Sequence, residues 1–233
     1  MKKIKYFLFA LVAFCCVSCY DESGEFVEQM QTNDEITLGL RACLKTAVDT
    51  ANSHLCVENG FSAYDDAKYA IGLPAAAAAI RDTLAAHGES ALIDTLLYKV
   101  NHAAESVGSV MKTNFSATIT GMTFSNPSQV LKGADDAATA ALQLNYDAAL
   151  KAAVTPGIYS QLTAKGALTT WSKVLTTYAK YNSTPVSIDF QQYVINQIFD
   201  AFYAEMKIEE ANIRHNPDHR VSEILKTTFS VLD

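Results

Sequence analysis

Three groups of side chains in this sequence could do chemistry, and their spacing decides which chemistry. Asp135 and Asp136 are adjacent. On a helix they diverge by about 100°, so they cannot form the facing carboxylate pair of an acid–base site without partners from another element. They follow Gly133-Ala134, where a helix is expected to start. An aspartate at such a start accepts backbone N–H bonds and meets the positive end of the helix dipole. Capping is the expected role of Asp135 and Asp136, with a cation or ligand site as the alternative. Asn101 and Glu105 lie four residues apart in an apolar helical pattern. A buried polar pair there either hydrogen-bonds a neighbouring helix and fixes its register, or binds a ligand. His102-x-x-Glu105 reverses the Glu-x-x-His order of di-iron bundles and occurs once, without the second copy that two metals require.

The third group lies near the C-terminus. His215 and His219 have the spacing of a helical zinc pair, but Pro217 between them breaks the helix and no third ligand stands out beyond Asp218 and Glu223. Glu205, Glu209 and Glu210 are expected on the solvated face of their helix, with Lys207 and Arg214 as partners. Arg214 and Arg220 flank a turn. Each could hold an anion, and a salt bridge to Glu210 or Glu223 is the reading preferred. The sequence has no Gly-x-Ser-x-Gly elbow, no phosphate-cradling glycine loop, no His-Glu-x-x-His and no Cys-x-x-Cys. No cofactor and no metal is expected.

These residues must be positioned by helices. Ile36, Leu40, Leu44 and Val48 recur every four residues, and Phe61 to Leu73 follows as a long irregular connection across the core. Pro74 opens an alanine-rich helix that Gly88 ends. Ser90 to about Asn114 predicts one long helix, with Leu96, Val100 and Met111 on its apolar face. Asn126-Pro127 caps a short helix that Gly133 stops. The next helix, from Asp135-Asp136, is expected to end at Thr155-Pro156-Gly157, followed by two helices hinged at Gly166. Ser187 or Asp189 caps a helix carrying Phe190, Val194, Ile198, Phe202 and Met206. A last helix from Asp218 adds Val221, Leu225 and Phe229 to the core. No strand pair is found, so the fold class is all-α, one multi-helix domain over residues 34–233.

The first nineteen residues give an address. Lys2, Lys3 and Lys5 precede an apolar run from Tyr6 to Val17 that is too short to span a bilayer, and small Ser18 precedes Cys19. Val17-Ser18-Cys19 resembles the lipobox of bacterial lipoproteins, with Cys16 where Leu is usual. The resemblance implies a signal peptide over residues 1–18, an acylated Cys19, and an acidic tether to residue 33. The ordinary cleaved signal of a soluble exported protein is the alternative. The expected location is the bacterial cell envelope, at the outer membrane on its periplasmic or surface face. Cleavage before Cys19 would remove three of the 18 basic residues and none of the 25 acidic ones, taking the net charge from −7 to −10. Such a body repels phosphate backbones, so nucleic acid is not an expected partner. Cys43 and Cys56 would remain. They are expected as two buried thiols, with a disulfide as the alternative.

Asn101-His102-Ala103-Ala104-Glu105, Val130 to Thr139, and the C-terminal run with Glu209-Glu210, Ile213-Arg214 and Asn216-Pro217 together resemble a bacterial family, the domain of unknown function 4197. The resemblance covers about residues 35 to 230 and implies an exported helical protein with no established activity. His102 stands where the family pattern implies Arg, and His215 where it implies Gln or Lys. The expected function is a non-enzymatic, membrane-anchored envelope lipoprotein whose helical domain binds a protein partner or a small ligand. One alternative is an envelope hydrolase or transferase built from scattered residues, with Asp135, Glu105 and His102 as its candidates. Another is a carrier for lipid or another apolar molecule. An enzyme would show a pocket in which those groups converge; a binding module would show a groove or patch.

Overall fold

Two of the apolar stripes in the sequence become long helices that pack against each other. In a computed structural model describing residues 31–63 and 65–233, α1 (Asn33–Leu55) buries Ile36, Leu40, Leu44 and Val48. Helix α8 (Phe190–His215) buries Phe190, Val194, Ile198, Phe202 and Met206. Local signals fix both starts. Thr32 and Glu35 form a capping box, each side chain accepting the other's backbone N–H, and Asp189 accepts the Gln192 N–H at 2.9 Å. The helices run antiparallel, since His54 of α1 meets Glu205 of α8 while Cys43 lies near Glu210. Residues 1–30, with the signal, Cys19 and most of the tether, lie outside the described residues.

Between these two helices in the chain come α2 (Ala78–Ala86), α3 (Ser90–Glu105), α4 (Gly108–Gly121), α5 (Pro127–Leu131), α6 (Ala137–Ala164) and α7 (Ala167–Tyr178), with α9 (Glu223–Phe229) last. No strand occurs among the described residues. Thr32–Asp233 is one compact unit. Phe115 of α4 lies with its ring centroid 5.8 to 6.2 Å from those of Phe199, Phe202 and Tyr203 of α8. Trp171 of α7 stacks on Phe190 at 4.4 Å. Each such buried aromatic stabilises by roughly 1.5–3 kcal/mol.

Several expected boundaries differ. The single helix expected from Ser90 to about Asn114 is two, broken at Ser106–Val107. The Ser106 hydroxyl donates to the His102 carbonyl at 2.8 Å, an alternative to the backbone ladder. Gly108 then packs where a Cβ would lie 2.7 Å from the Asn52 amide oxygen and 2.8 Å from Cys56 Cβ. The stop expected at Thr155-Pro156-Gly157 is absent, and α6 runs through Pro156 for 28 residues. The cost of a proline in a helix is met by tertiary packing: Val154 and Ile158 are fully buried on either side, and Gly157 abuts Val110. The hinge at Gly166 is present, with φ at +71°. Val221 precedes α9 and is 73% exposed, so it is not part of the buried stripe. Cys43 and Cys56 are free thiols, the first buried and the second half-buried.

Candidate functional site

The three C-terminal glutamates are not on a solvated face. Glu205, Glu209 and Glu210 are 3%, 6% and 0% exposed. The apolar stripe explains why: three residues beyond Phe202 and Met206 come Glu205 and Glu209, on the face turned to the core. Glu210 has a specific task. Its two carboxylate oxygens accept the Ala138 N–H at 2.8 Å, the Thr139 N–H at 2.7 Å and the Thr139 hydroxyl at 2.7 Å. These are first-turn amides of α6 that have no partner within the helix, so Glu210 caps that helix from another element. Arg214, one turn on and 2% exposed, donates from Nε and Nη2 to the same carboxylate at 3.1 and 2.7 Å. Two further donors go to the carbonyls of Leu131 at 2.6 Å and Val130 at 3.1 Å, closing the C-terminal end of α5.

One buried ion pair on α8 therefore holds both ends of the turn from Lys132 to Asp136. The capping role expected of Asp135 and Asp136 is corrected by this geometry. Asp136 occupies the cap position of α6 but makes no side-chain cap bond. It pairs with Lys207 at 3.3 Å, and Asp135 pairs with His215 Nε2 at 2.7 Å, both on the surface. The aspartates are displaced because Glu210 already fills the amide acceptor positions. Arg220 is also buried and structural, and its partner is neither Glu210 nor Glu223. It donates to the Ile213 and Arg214 carbonyls at 3.0 Å, closing α8, and binds the Asp233 carboxylate at 2.7 and 2.8 Å. Asp233 in turn is held below the usual carboxylate range by that hydrogen bond.

Asn101 is a clamp as well. Its amide oxygen accepts the Ile71 N–H at 2.8 Å, and its amide nitrogen donates to the carbonyls of Ile71 at 3.0 Å and Leu97 at 2.8 Å. It pins the irregular segment between α1 and α2 onto α3. That segment turns through three successive left-handed residues, Asp65, Asp66 and Ala67, with φ between 50° and 62°, a conformation that costs an alanine roughly 1–2 kcal/mol.

Among the described residues, two of the surface grooves gather carboxylate–imidazole pairs. The first, of about 510 Å³, lies along α3 beside the end of α1 and receives Tyr98, Lys99, His102, Glu105, Cys56 and Lys165. His102 Nδ1 lies 2.7 Å from Glu105 Oε2, and Tyr98 meets the imidazole edge-on at 4.1 Å. Glu105 is thus paired with His102 and not with Asn101, the partner its four-residue spacing suggested, and the pair has the geometry of an imidazole oriented by a carboxylate. Asp135, the third residue proposed with it, is instead engaged with His215. Burial, with a smaller contribution from Glu105, pushes the Cys56 thiol up to about 12, so at neutral pH it is a thiol and a poor nucleophile.

The second groove, of about 530 Å³, lies between α1 and α8. Glu205 and Glu209 lie on it, each with an imidazole. His54 Nδ1 is 2.7 Å from Glu205, which also accepts the Tyr69 hydroxyl at 2.5 Å, and His219 Nδ1 is 3.2 Å from both oxygens of Glu209. Burial pushes the Tyr69 phenol up to about 12. His54 and His219 were not paired by spacing in the sequence; only the stripe through Glu205 and Glu209 could have located this groove. Among the described residues no three His, Cys, Asp or Glu side chains are placed to hold one metal ion.

The sequence segments that share a pattern are thus physical partners: Glu210 and Arg214 hold the Val130 to Thr139 turn. Comparison with curated proteins and with solved structures gave no match. A family model described as a protein of unknown function, DUF4197, matches residues 30–230, a span that contains all three segments, and the chain belongs to that family.

Proposed function

We propose that this protein is a non-enzymatic envelope lipoprotein, anchored through an acylated Cys19, whose helical domain binds a protein partner or a small ligand. The observation that carries the reading is the division of labour among its polar residues. Asn101, Glu210, Arg214 and Arg220 are engaged in holding helix ends and one loop, while among the described residues a groove with a largely polar lining lies between α1 and α8. Val17-Ser18-Cys19 after a short apolar run supports the anchor. Among the described residues no helix is long and apolar enough to cross a membrane. Two measurements test the reading. Intact mass of protein extracted from membranes should show a chain starting at an acylated Cys19, and crosslinking of the native protein in its own cells should recover a defined partner or ligand. A different mature start without acyl mass refutes the anchor, and crosslinking that yields no reproducible partner or ligand refutes the binding role.

A second reading, an envelope hydrolase or transferase, is favoured by the His102–Glu105 pair in the α3 groove. In it His102 is the general base and Glu105 orients the imidazole. His102→Ala should then abolish turnover of any substrate found while leaving the fold intact.

A further inference from the structure

Residues 148–188 contain four lysines and no aspartate, glutamate or arginine, in a chain with 25 acidic residues and a net charge of −7. The stretch runs from the middle of α6 through α7 to the start of α8. Lys151 pairs with Asp147 at 3.0 Å, whereas Lys165, Lys173 and Lys180 are exposed and enter no ion pair among the described residues. They stand just before, midway along and just after α7, with the hydroxyl side chains of Thr169, Ser172 and Thr176 exposed between them. Lys99 of α3 brings a fourth cation to this helix, donating to the Thr170 hydroxyl at 2.9 Å. On α2, α3 and α6, which pack against α7, the carboxylates of Asp82, Glu105 and Asp147 are matched by Arg81, His102 and Lys151. That leaves Asp94 on those helices, with Glu89 and Asp189 at the starts of α3 and α8. The α7 side is thus a positive pole on an acidic domain.

Resting on the lipid anchor proposed above, we propose that the α7 face lies against the anionic headgroups of the membrane that holds the acyl chains. Charge complementarity selects the occupant. An anionic leaflet attracts each nearby lysine and repels the carboxylate-bearing faces, so both forces turn the same side inward. Lys165, Lys173 and Lys180 give up no ion pair when they meet phosphate. The attraction acts within about 8 Å at physiological salt, a gap that lysine stems bridge. Tyr159 and Tyr181, exposed in the same stretch, are of the residue type that favours the headgroup level. Residues 20–31 span at most roughly 45 Å, a length that keeps the domain beside the bilayer without choosing which face meets it. The lysines make that choice.

Trp171, the single tryptophan of the chain, lies on α7 and reports its distance from lipid. The detergent-extracted full chain is reconstituted into vesicles of phosphatidylcholine alone or with about one-third phosphatidylglycerol, each with a trace of dansyl-labelled lipid. Energy transfer from Trp171 to dansyl should be about twofold higher with phosphatidylglycerol, and raised salt should return it to the neutral-vesicle value. A triple variant, Lys165→Gln, Lys173→Gln and Lys180→Gln, should lose the difference. A second triple variant, Lys45→Gln, Lys132→Gln and Lys226→Gln, removes the same charge elsewhere and should keep it. All six side chains are exposed, so the fold is not at stake. Equal transfer in the two vesicles, or equal loss in the two variants, would overturn the proposal. Capture of polyglutamate by the α7 lysines without raised transfer would overturn it too, assigning the face to an acidic polypeptide. Flotation separates the anchor from the face: a chain that floats with neutral vesicles keeps the anchor even where transfer fails, and one that floats with anionic vesicles alone loses the anchor and keeps the face.

Discussion

Replacing Glu210 by alanine should be among the most damaging single changes in this domain that leave its apolar core intact. The substitution removes the acceptor of the Ala138 and Thr139 amides and of the Thr139 hydroxyl, and it leaves the Arg214 guanidinium buried without its counter-charge. Removing one partner of a buried ion pair costs about 3–5 kcal/mol, and each buried donor left unsatisfied adds about 1–3 kcal/mol before relaxation. Water entering beside Arg214 offsets part of that, so a net loss of about 4 kcal/mol is expected. In a domain of this size each kcal/mol lowers the melting point by roughly 2–4 °C, which predicts a fall of about 8–16 °C. Urea unfolding followed by far-ultraviolet circular dichroism measures it, with Glu210→Leu, Arg214→Met and the double variant completing a cycle. The double variant should be less destabilised than the sum of the singles by about 2 kcal/mol, because each single change strands a partner. A loss below about 1 kcal/mol for Glu210→Ala, or strict additivity in the cycle, would refute the clamp.

Asp135→Ala should cost less than about 0.5 kcal/mol in the same assay, since it removes only an exposed pair with His215, and a loss of about 1–2 kcal/mol would restore the capping role. Asn101→Leu leaves the Ile71 N–H and carbonyl without their partner and should cost about 1–3 kcal/mol, with earlier proteolysis in the segment between α1 and α2; unchanged cleavage there would contradict it. Burial keeps Cys43 and Cys56 protonated, so iodoacetamide at neutral pH should label both only after denaturation, and rapid labelling of the native protein would show otherwise. Arg220 lowers the folded-state pKa of Asp233, so this carboxylate stabilises the fold above its unfolded-state pKa and loses that contribution as pH falls through the folded value. Asp233→Asn should therefore flatten the acid limb of the stability profile, and identical acid limbs for both proteins would remove Asp233 from it.

The all-α class followed from periodicity because the apolar stripes of α1 and α8 repeat at four-residue steps and are buried as read. Boundaries set by local chemistry were also legible. Asn126 accepts the Gln129 N–H at 3.1 Å, Asp189 caps α8, and Gly166 adopts the left-handed backbone of a helix junction. What the sequence hid depends on distant partners. Ser106 looks like any mid-helix serine until its neighbours place Gly108 against Asn52 and Cys56. Pro156 reads as a stop unless the packing around Val154 and Ile158 is known. Glu210 reads as exposed because its partners Ala138 and Thr139 lie more than seventy residues away. Arg214 at four residues from Glu210 was the one local hint. The candidate sites were legible in part: Glu105 and His102 were named as candidates but the pair read from spacing was Asn101 with Glu105, and the groove between α1 and α8 emerged only from structure.

The antiparallel pairing of α1 with α8 has a kinetic consequence. His54 and Glu205 meet across 151 positions of chain, and α9 also packs on α1, with Thr228 against Gly39. A chain made from its N-terminus can pack α4 and α5 on its first helix early, but the faces that meet α8 and α9 stay uncovered until those last two helices exist. Non-local contacts of this kind are slow to form, since loop closure comes before any stabilisation from the contact. Until then part of the apolar surface of α1 is available to anything that binds apolar helices. A polypeptide halted before Phe190 is thus a client for holding factors, and arrival of the C-terminal helices is the step that releases it.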